Sequence, residues 1–479
     1  MTEQIDANGL DDEFSQLGFV PLDRPIGSGD SENAIEKIEQ RRRAWQRSDR
    51  SHLDDVLSLV ESPDGVLRWE LTDDKRRRGT RRAGRQSRAA LPQGKIERQY
   101  AFEKLQGTNQ VAKLVARIDD RCTNKLKRGL WVLSENLEFD LDYSDVRGND
   151  DLKGKSVLLF IHGTFSHGDT TCQQIKEATQ RNHPNFGEDF LKKIRIKYDR
   201  VLSFNHPTLS VSPMVNAFRL AGELRDAGVP KSIDIICHSR GGVVTRWWLE
   251  GFASQDSDYR VVFLGAPLGG TSLASPTHLK SGMNLISNYA KVTGKGLAMT
   301  ANPILMAAGS VFSIIGSIAK TGAKAPVFDA ACAVFPGLMG QARTNTNFEL
   351  NNLRASLGGS NPHRDNYYAV VNDFEPSDLE KWKFWKVFSE PKAYMSNLAD
   401  GMVDELIFTE LDENNNRVKI ANDMVVDYNS MTELSDELRI PTDNIFDFKT
   451  TRKSSKVHHT NYIIQYETLE FIKKVFALG

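Results

Sequence analysis

The chain has 479 residues, 39% hydrophobic and 26% charged, which is enough apolar material for a sizeable core and too much for wholesale disorder. That length excludes a lone peptide-binding module and predicts one large domain with something smaller beside it. With 62 Lys and Arg against 63 Asp and Glu the net charge is −1, so no global field favours nucleic acid or another polyanion.

The N-terminal stretch MTEQIDANGLDDEF is polar and acidic and lacks the basic-then-apolar order of a secretory signal. Cys122, Cys172, Cys237 and Cys332 lie far apart without a C-x-x-C pair, the pattern of reduced thiols instead of a disulfide framework or a zinc knuckle. Both features predict a cytoplasmic chain. Residues 1–40 carry ten acids against two bases and read as a loosely ordered arm. Between Lys75 and Arg98 the charge inverts, with ten bases and one acid in KRRRGTRRAGRQSRAALPQGKIER. This run reads as a solvated surface pairing with the acidic arm, or as a patch that places the protein peripherally on an anionic membrane. The absence of interleaved aromatics removes the stacking half of a single-strand nucleic-acid platform. We therefore expect residues 1–128 to form a charged N-terminal region.

From residue 129 apolar strands alternate with helical patterns, the sequence form of a mostly parallel α/β sheet. The predicted strands are Gly129–Phe139, Ser156–Ile161, Arg200–Phe204, Ile233–Cys237, Arg260–Leu264, Tyr367–Val371 and Ile445–Phe448, and the predicted helices include Met214–Ala227, Gly242–Phe252 and Asn461–Phe476. An insertion at about 271–365 contains 24 uncharged residues, Gly296–Ala319, with Leu305, Ala308, Phe312, Ile315 and Ala319 on one helical face and Gly309, Ser313 and Ser317 on another. Three readings stay open for it: a cap over a catalytic mouth, an apolar surface that docks on a bilayer or partner, or a membrane span, which Pro303 and Asn302 leave short of the ~20 residues required. An apolar cap implies an apolar substrate group.

The segment SIDIICHSRGGVVTRWW, residues 232–248, runs strand, sharp turn, helix, with Ser239 at the turn. Such a turn exposes the serine hydroxyl above the sheet and needs small residues two before and two after it. Gly241 meets that need, and Cys237 replaces the usual first glycine. The competing reading makes Ser239 a plain helix N-cap. Upstream, 77 residues before Ser239, the apolar strand SVLLFI ends in His162-Gly163-Thr164. Together these segments resemble the α/β-hydrolase superfamily, and within it bacterial lipases and esterases.

The resemblance implies an α/β-hydrolase fold over 129–479, with the apolar insertion as a cap. It implies Ser239 as nucleophile, the Thr164 and Arg240 backbone amides as oxyanion hole, and His162 as a structural residue. It also implies a histidine after the last strand, where VHHTNY offers His458 and His459. In the resembling lipases an apolar helix follows the catalytic histidine, and that register favours His459 over His458. The acid falls on Asp423 in NDMVV, with Asp400 and Asp373 as alternatives. The activity implied is hydrolysis of carboxylic esters, above all lipid esters; a thioesterase, an amidase or a catalytically silent binding protein would use the same scaffold. Gly154-Lys155-Ser156 lacks the spacing of a phosphate loop and enters a strand, and no H-E-x-x-H occurs, so neither a nucleotide cofactor nor a metal is assigned.

Overall fold

A computed structural model describes residues 7–22, 53–73 except 64, 94–103, 105, 108–123, 127–148, 150–293, 301–320, 334–356, 360–378, 381–389 and 406–479. Most of the Arg-rich run, together with Asp400 and Cys332, lies outside these residues. The N-terminal strands are β1 (Val20–Pro21), β2 (Leu53–Glu61), β3 (Leu67–Asp73) and β4 (Lys95–Glu103); they form an antiparallel sheet in the order β1-β4-β2-β3. The second sheet holds β5 (Gly129–Leu133), β6 (Phe139–Asp142), β7 (Ser156–Ile161), β8 (Arg200–Asn205), β9 (Ser232–His238), β10 (Asp258–Leu264), β11 (Tyr367–Val371) and, after a small hairpin of β12 (Thr409–Leu411) and β13 (Arg417–Lys419), β14 (Ile445–Asp447).

The eight strands run in the order β14-β11-β10-β9-β7-β8-β5-β6. All neighbours from β8 to β14 are parallel, and β5 alone turns antiparallel to β8 and β6. The central strands are near-continuous apolar runs because helices cover both faces: Val157 to Ile161 of β7 and Val261 to Leu264 of β10 are all buried. The expected Gly129–Phe139 strand is a hairpin instead. Ser134-Glu135-Asn136 turn the chain, with Leu137 at φ 60° and the Ser134 amide donating to the Glu138 carbonyl at 2.8 Å.

The expectation of a loose acidic arm also fails for residues 7–16. They form a helix whose Leu10 and Phe14 are fully buried, Phe14 stacking on Tyr100 at 4.0 Å. Its acids take ordered partners, Asp11 receiving the Tyr100 hydroxyl at 2.9 Å. The apolar insertion lies under this N-terminal layer as the Ala301–Lys320 helix, with Leu305, Met306, Val311 and Ile314 fully buried. A Cβ on Gly309 would sit 2.8 Å from the Trp69 ring and 2.9 Å from Phe14, and one on Gly316 2.6 Å from Leu71. The small residues thus let a sheet lie directly on a helix. Among the described residues no helix is long and apolar enough to cross a membrane.

Candidate active site

The site lies at the carboxyl ends of the parallel strands, where the strand-to-helix turns meet. β9 delivers Ser239 in a left-handed conformation, φ 54°, which costs a non-glycine residue about 1–2 kcal/mol and must be imposed by its surroundings. They do so with two backbone bonds: the Ser239 amide donates to the Leu264 carbonyl at 3.0 Å, and the Gly242 amide to the Ser239 carbonyl at 2.9 Å. Glycines make room for the turn. A Cβ on Gly163 would stand 2.8 Å from Ser239 Cβ, and one on Gly241 would meet the Ile161 and His162 carbonyls, the latter at 2.8 Å. Cys237, where a third glycine was absent, is buried without strain in the strand, its Sγ facing the Val262 carbonyl at 3.7 Å.

Ser239 Oγ lies 2.9 Å from His459 Nε2, and His459 Nδ1 lies 2.9 Å from Asp423 Oδ2. Asp423 Oδ1 accepts the Val425 and Val426 amides at 3.1 and 2.8 Å, and Oδ2 accepts the Tyr462 hydroxyl at 3.0 Å. With Nδ1–H donated to the carboxylate, Nε2 faces the serine as an acceptor, the tautomer a general base requires. The His459 backbone is clamped as well, its amide donating to the Asp423 carbonyl at 3.0 Å and its carbonyl facing His238 Nε2 at 2.7 Å. All three side chains are buried, Asp423 completely and the other two with 5% exposure, so bulk water does not screen the relay.

The other carboxylates and histidines separate cleanly. Asp373 receives Lys449 Nζ at 2.9 Å and the Asn422 amide at 3.2 Å and stays clear of His459. His458 turns away to Tyr289, its Nδ1 2.6 Å from the hydroxyl. His162 stacks on His206 with ring centres 4.1 Å apart and accepts the His206 amide at Nε2, 3.1 Å away, while Nδ1 faces the Gly163 carbonyl at 3.0 Å. Burial lowers its pKa to about 3, so His162 is a neutral brace for the loop. The Thr164 and Arg240 amides have no protein partner among the described residues.

The Arg240 side chain is fully buried, its guanidinium donating to the Gly337 carbonyl at 3.1 Å and the Val211 carbonyl at 2.6 Å and facing His206 Nδ1 at 3.2 Å. Burial lowers its pKa to about 10, while Asp119 and Glu349 pull the other way, so it stays cationic. Asp119, from the Thr108–Cys122 helix, accepts the Thr208, Leu209 and Ser210 amides at 2.8, 2.9 and 2.7 Å and fixes the loop that Arg240 touches. Sequence reasoning missed Asp119, Tyr289, Tyr462 and the clearance at Gly265, where φ is 52° and a Cβ would lie 2.5 Å from Tyr462 and 2.9 Å from Asp423 Oδ2. Only Tyr462 had a signal, its place in the VHHTNY segment. Among the described residues no group of three or more His, Cys, Asp or Glu is arranged for a metal ion, and Cys122, Cys172 and Cys237 are free and buried.

Fold and site together define an α/β protein with a serine–histidine–aspartate constellation at the carboxyl edge of an eight-stranded, mostly parallel sheet. The chain belongs to the family described as a domain of unknown function, DUF7379, whose family model matches residues 131–477. No curated protein matches the sequence. Among solved structures it is similar to the mature lipase BlEst2 of Bacillus licheniformis, at 13% identity over 70% of this chain and 96% of that one, with a TM-score of 0.32. Lipase 1 of Pelosinus fermentans matches at 11% identity, 68% and 97% coverage and a TM-score of 0.36. An alpha/beta hydrolase fold protein of Nakamurella multipartita matches at 16% identity, 48% and 80% coverage and a TM-score of 0.21.

Proposed function

We propose that the protein is a serine hydrolase of carboxylic esters, with lipid esters as its substrates. The observation that carries this reading is the unbroken relay of two 2.9 Å contacts from Ser239 Oγ through His459 to Asp423, with the serine held at φ 54° above the sheet. His459 Nε2 takes the hydroxyl proton as Ser239 Oγ attacks the acyl carbonyl carbon. The Thr164 and Arg240 amides receive the developing oxyanion, a role whose removal typically costs about 10²–10³ in rate. The imidazolium, stabilised by Asp423, gives the proton to the departing alcohol; water then enters, loses its proton to His459 and releases the acid.

The lipid assignment rests on the apolar residues packed beside the oxyanion loop. Phe165, next to Thr164 in the loop, and Leu209, Leu338 and Met339 belong to one continuous cluster that runs into the Ala301–Lys320 helix. We extend the reading to an anionic membrane surface as partner for the arginines between Arg76 and Arg88. A fluorophosphonate probe is expected to label wild-type protein at Ser239 and to spare Ser239→Ala. Phospholipid vesicles, a long-chain thioester and a long-chain amide assayed side by side identify the leaving group. Faster turnover of the thioester or amide overturns the ester assignment, and no labelling of folded wild type overturns the hydrolase. Unchanged hydrolysis of anionic vesicles after neutralising Arg76 to Arg88 overturns the membrane partner.

A further inference from the structure

The Leu279–Thr293 helix faces two ways. One side closes the open edge of β3: the Trp69 amide donates to Asn284 Oδ1, the Leu67 amide to Asn288 Oδ1 and Asn288 Nδ2 to the Leu67 carbonyl, each at 2.8 Å, and Trp69 Nε1 donates to Ser287 Oγ at 2.8 Å. The other side sends Tyr289, 5% exposed, to the loop that carries His459.

The proton positions in that loop follow from its partners. Asn461 Oδ1 accepts the His458 amide at 2.8 Å and Nδ2 donates to the Lys456 carbonyl at 3.0 Å; two backbone partners thereby settle which amide atom is which. Nδ2 also lies 3.1 Å from His458 Nε2, which must then accept, leaving the proton on Nδ1. His458 Nδ1 donates to the Tyr289 oxygen at 2.6 Å, the Thr460 amide donates to the same oxygen at 3.0 Å, and the tyrosine proton goes to Thr460 Oγ1 at 2.9 Å. The full bonding capacity of one phenol is spent on the two residues that flank His459. Ring contacts with Trp382 at 6.2 Å and His458 at 5.4 Å fix the phenol itself.

We infer that Tyr289 is a positioning residue for His459, and that it makes the reactivity of Ser239 depend on the seating of the N-terminal sheet against the Leu279–Thr293 helix; this rests on the serine-hydrolase reading above. Tyr289 does not touch the reacting atoms. It sets the height and tilt of the loop, and a shift of about 1 Å in a general base is worth up to roughly 10²-fold in rate.

The test is Tyr289→Phe, which keeps the ring and removes its three hydrogen bonds, with Thr460→Val as a second variant made from the loop side. In both, kcat and the fluorophosphonate labelling rate are expected to fall together by about 10-fold with KM unchanged, because the base and not the binding surface has moved. The low-field proton resonance of the His459–Asp423 hydrogen bond is expected to broaden in both variants, a signature that a general loss of stability would not give while the protein stays folded. Wild-type labelling, kcat and proton resonance in the folded variants overturn the positioning role and leave the hydrolase reading intact. If Tyr289→Phe does not fold, the same result from Thr460→Val overturns it. A folded wild type that takes no probe at Ser239 overturns both.

Discussion

The sheet around Ser239 and the N-terminal layer around Trp69 solve the same problem, close approach of two elements, by different means. At the elbow the closest clearance at Gly241 is to main chain alone, the Ile161 and His162 carbonyls, while Gly163 faces Ser239 Cβ, the His238 ring and the His238 carbonyl. Where the Ala301–Lys320 helix meets the N-terminal layer the contacts are with side chains, the Trp69 and Phe14 rings opposing Gly309 and the Leu71 methyl opposing Gly316. Main-chain clearance cannot relax without moving a strand, whereas a ring or methyl can rotate. The first region is therefore built for position and the second for cover, and the two meet through Asp119 and Tyr289.

Substitutions test that contrast. Ser239→Ala is expected to lower kcat by on the order of 10⁴–10⁶ with little loss of stability, read from ester turnover and urea unfolding, since only the nucleophile is removed. Asp423→Asn should follow at roughly 10⁴, because an amide in that place favours the wrong His459 tautomer; turnover near wild type would show that another group orients the imidazole.

Acid should separate the regions next. Burial lowers the pKa of His162, His238 and His458 to about 3 from 6.5, so folded protein keeps them neutral while unfolded chain protonates them as pH falls below 6.5. The unfolded state then binds more protons, and stability rises with pH across this window. Between 6.5 and about 5 each histidine is expected to remove roughly 2 kcal/mol, present in full above 6.5 and lost on acidification. His162 and His458 follow strands of the sheet that carries the site and His238 ends one, so this loss belongs to that region. Urea midpoints at neutral and acid pH, with probes in each region, measure it. His458→Gln should make the slope shallower.

Gly241→Ala comes after these, with a cost above about 3 kcal/mol in urea unfolding and loss of probe labelling, because the added methyl meets two carbonyls of β7 and its following loop. Gly309→Val should cost least, about 1–3 kcal/mol, since the atoms its side chain meets belong to the Trp69 and Phe14 rings and not to main chain. Equal costs at the two glycines would remove the distinction between main-chain and side-chain clearance.

The same contrast explains what was legible beforehand. Strands β7 to β11 announce themselves because burial on both faces demands continuous apolar runs, and the turn at Ser239 because its geometry admits few residue types. The Leu10 and Phe14 helix was hidden by its acids, whose partners Tyr100 and Arg98 come from a strand some 90 residues away. The apolar Ala301–Lys320 helix could be recognised but not placed, since nothing in its own residues names Trp69 and Leu71 as its cover.

By itself the amino-acid order determined the local conformations: an α/β alternation, a serine on a forced left-handed turn, and a histidine pair after the last strand. These depend on neighbours within a few residues, where sterics and periodicity act. Tertiary structure alone decided that Asp423 and not Asp373 reaches His459, that His458 turns to Tyr289, and that the N-terminal sheet seals the apolar helix. Each of those outcomes is a contact between atoms far apart in the chain, and its energy exists only once folding has brought both partners out of water.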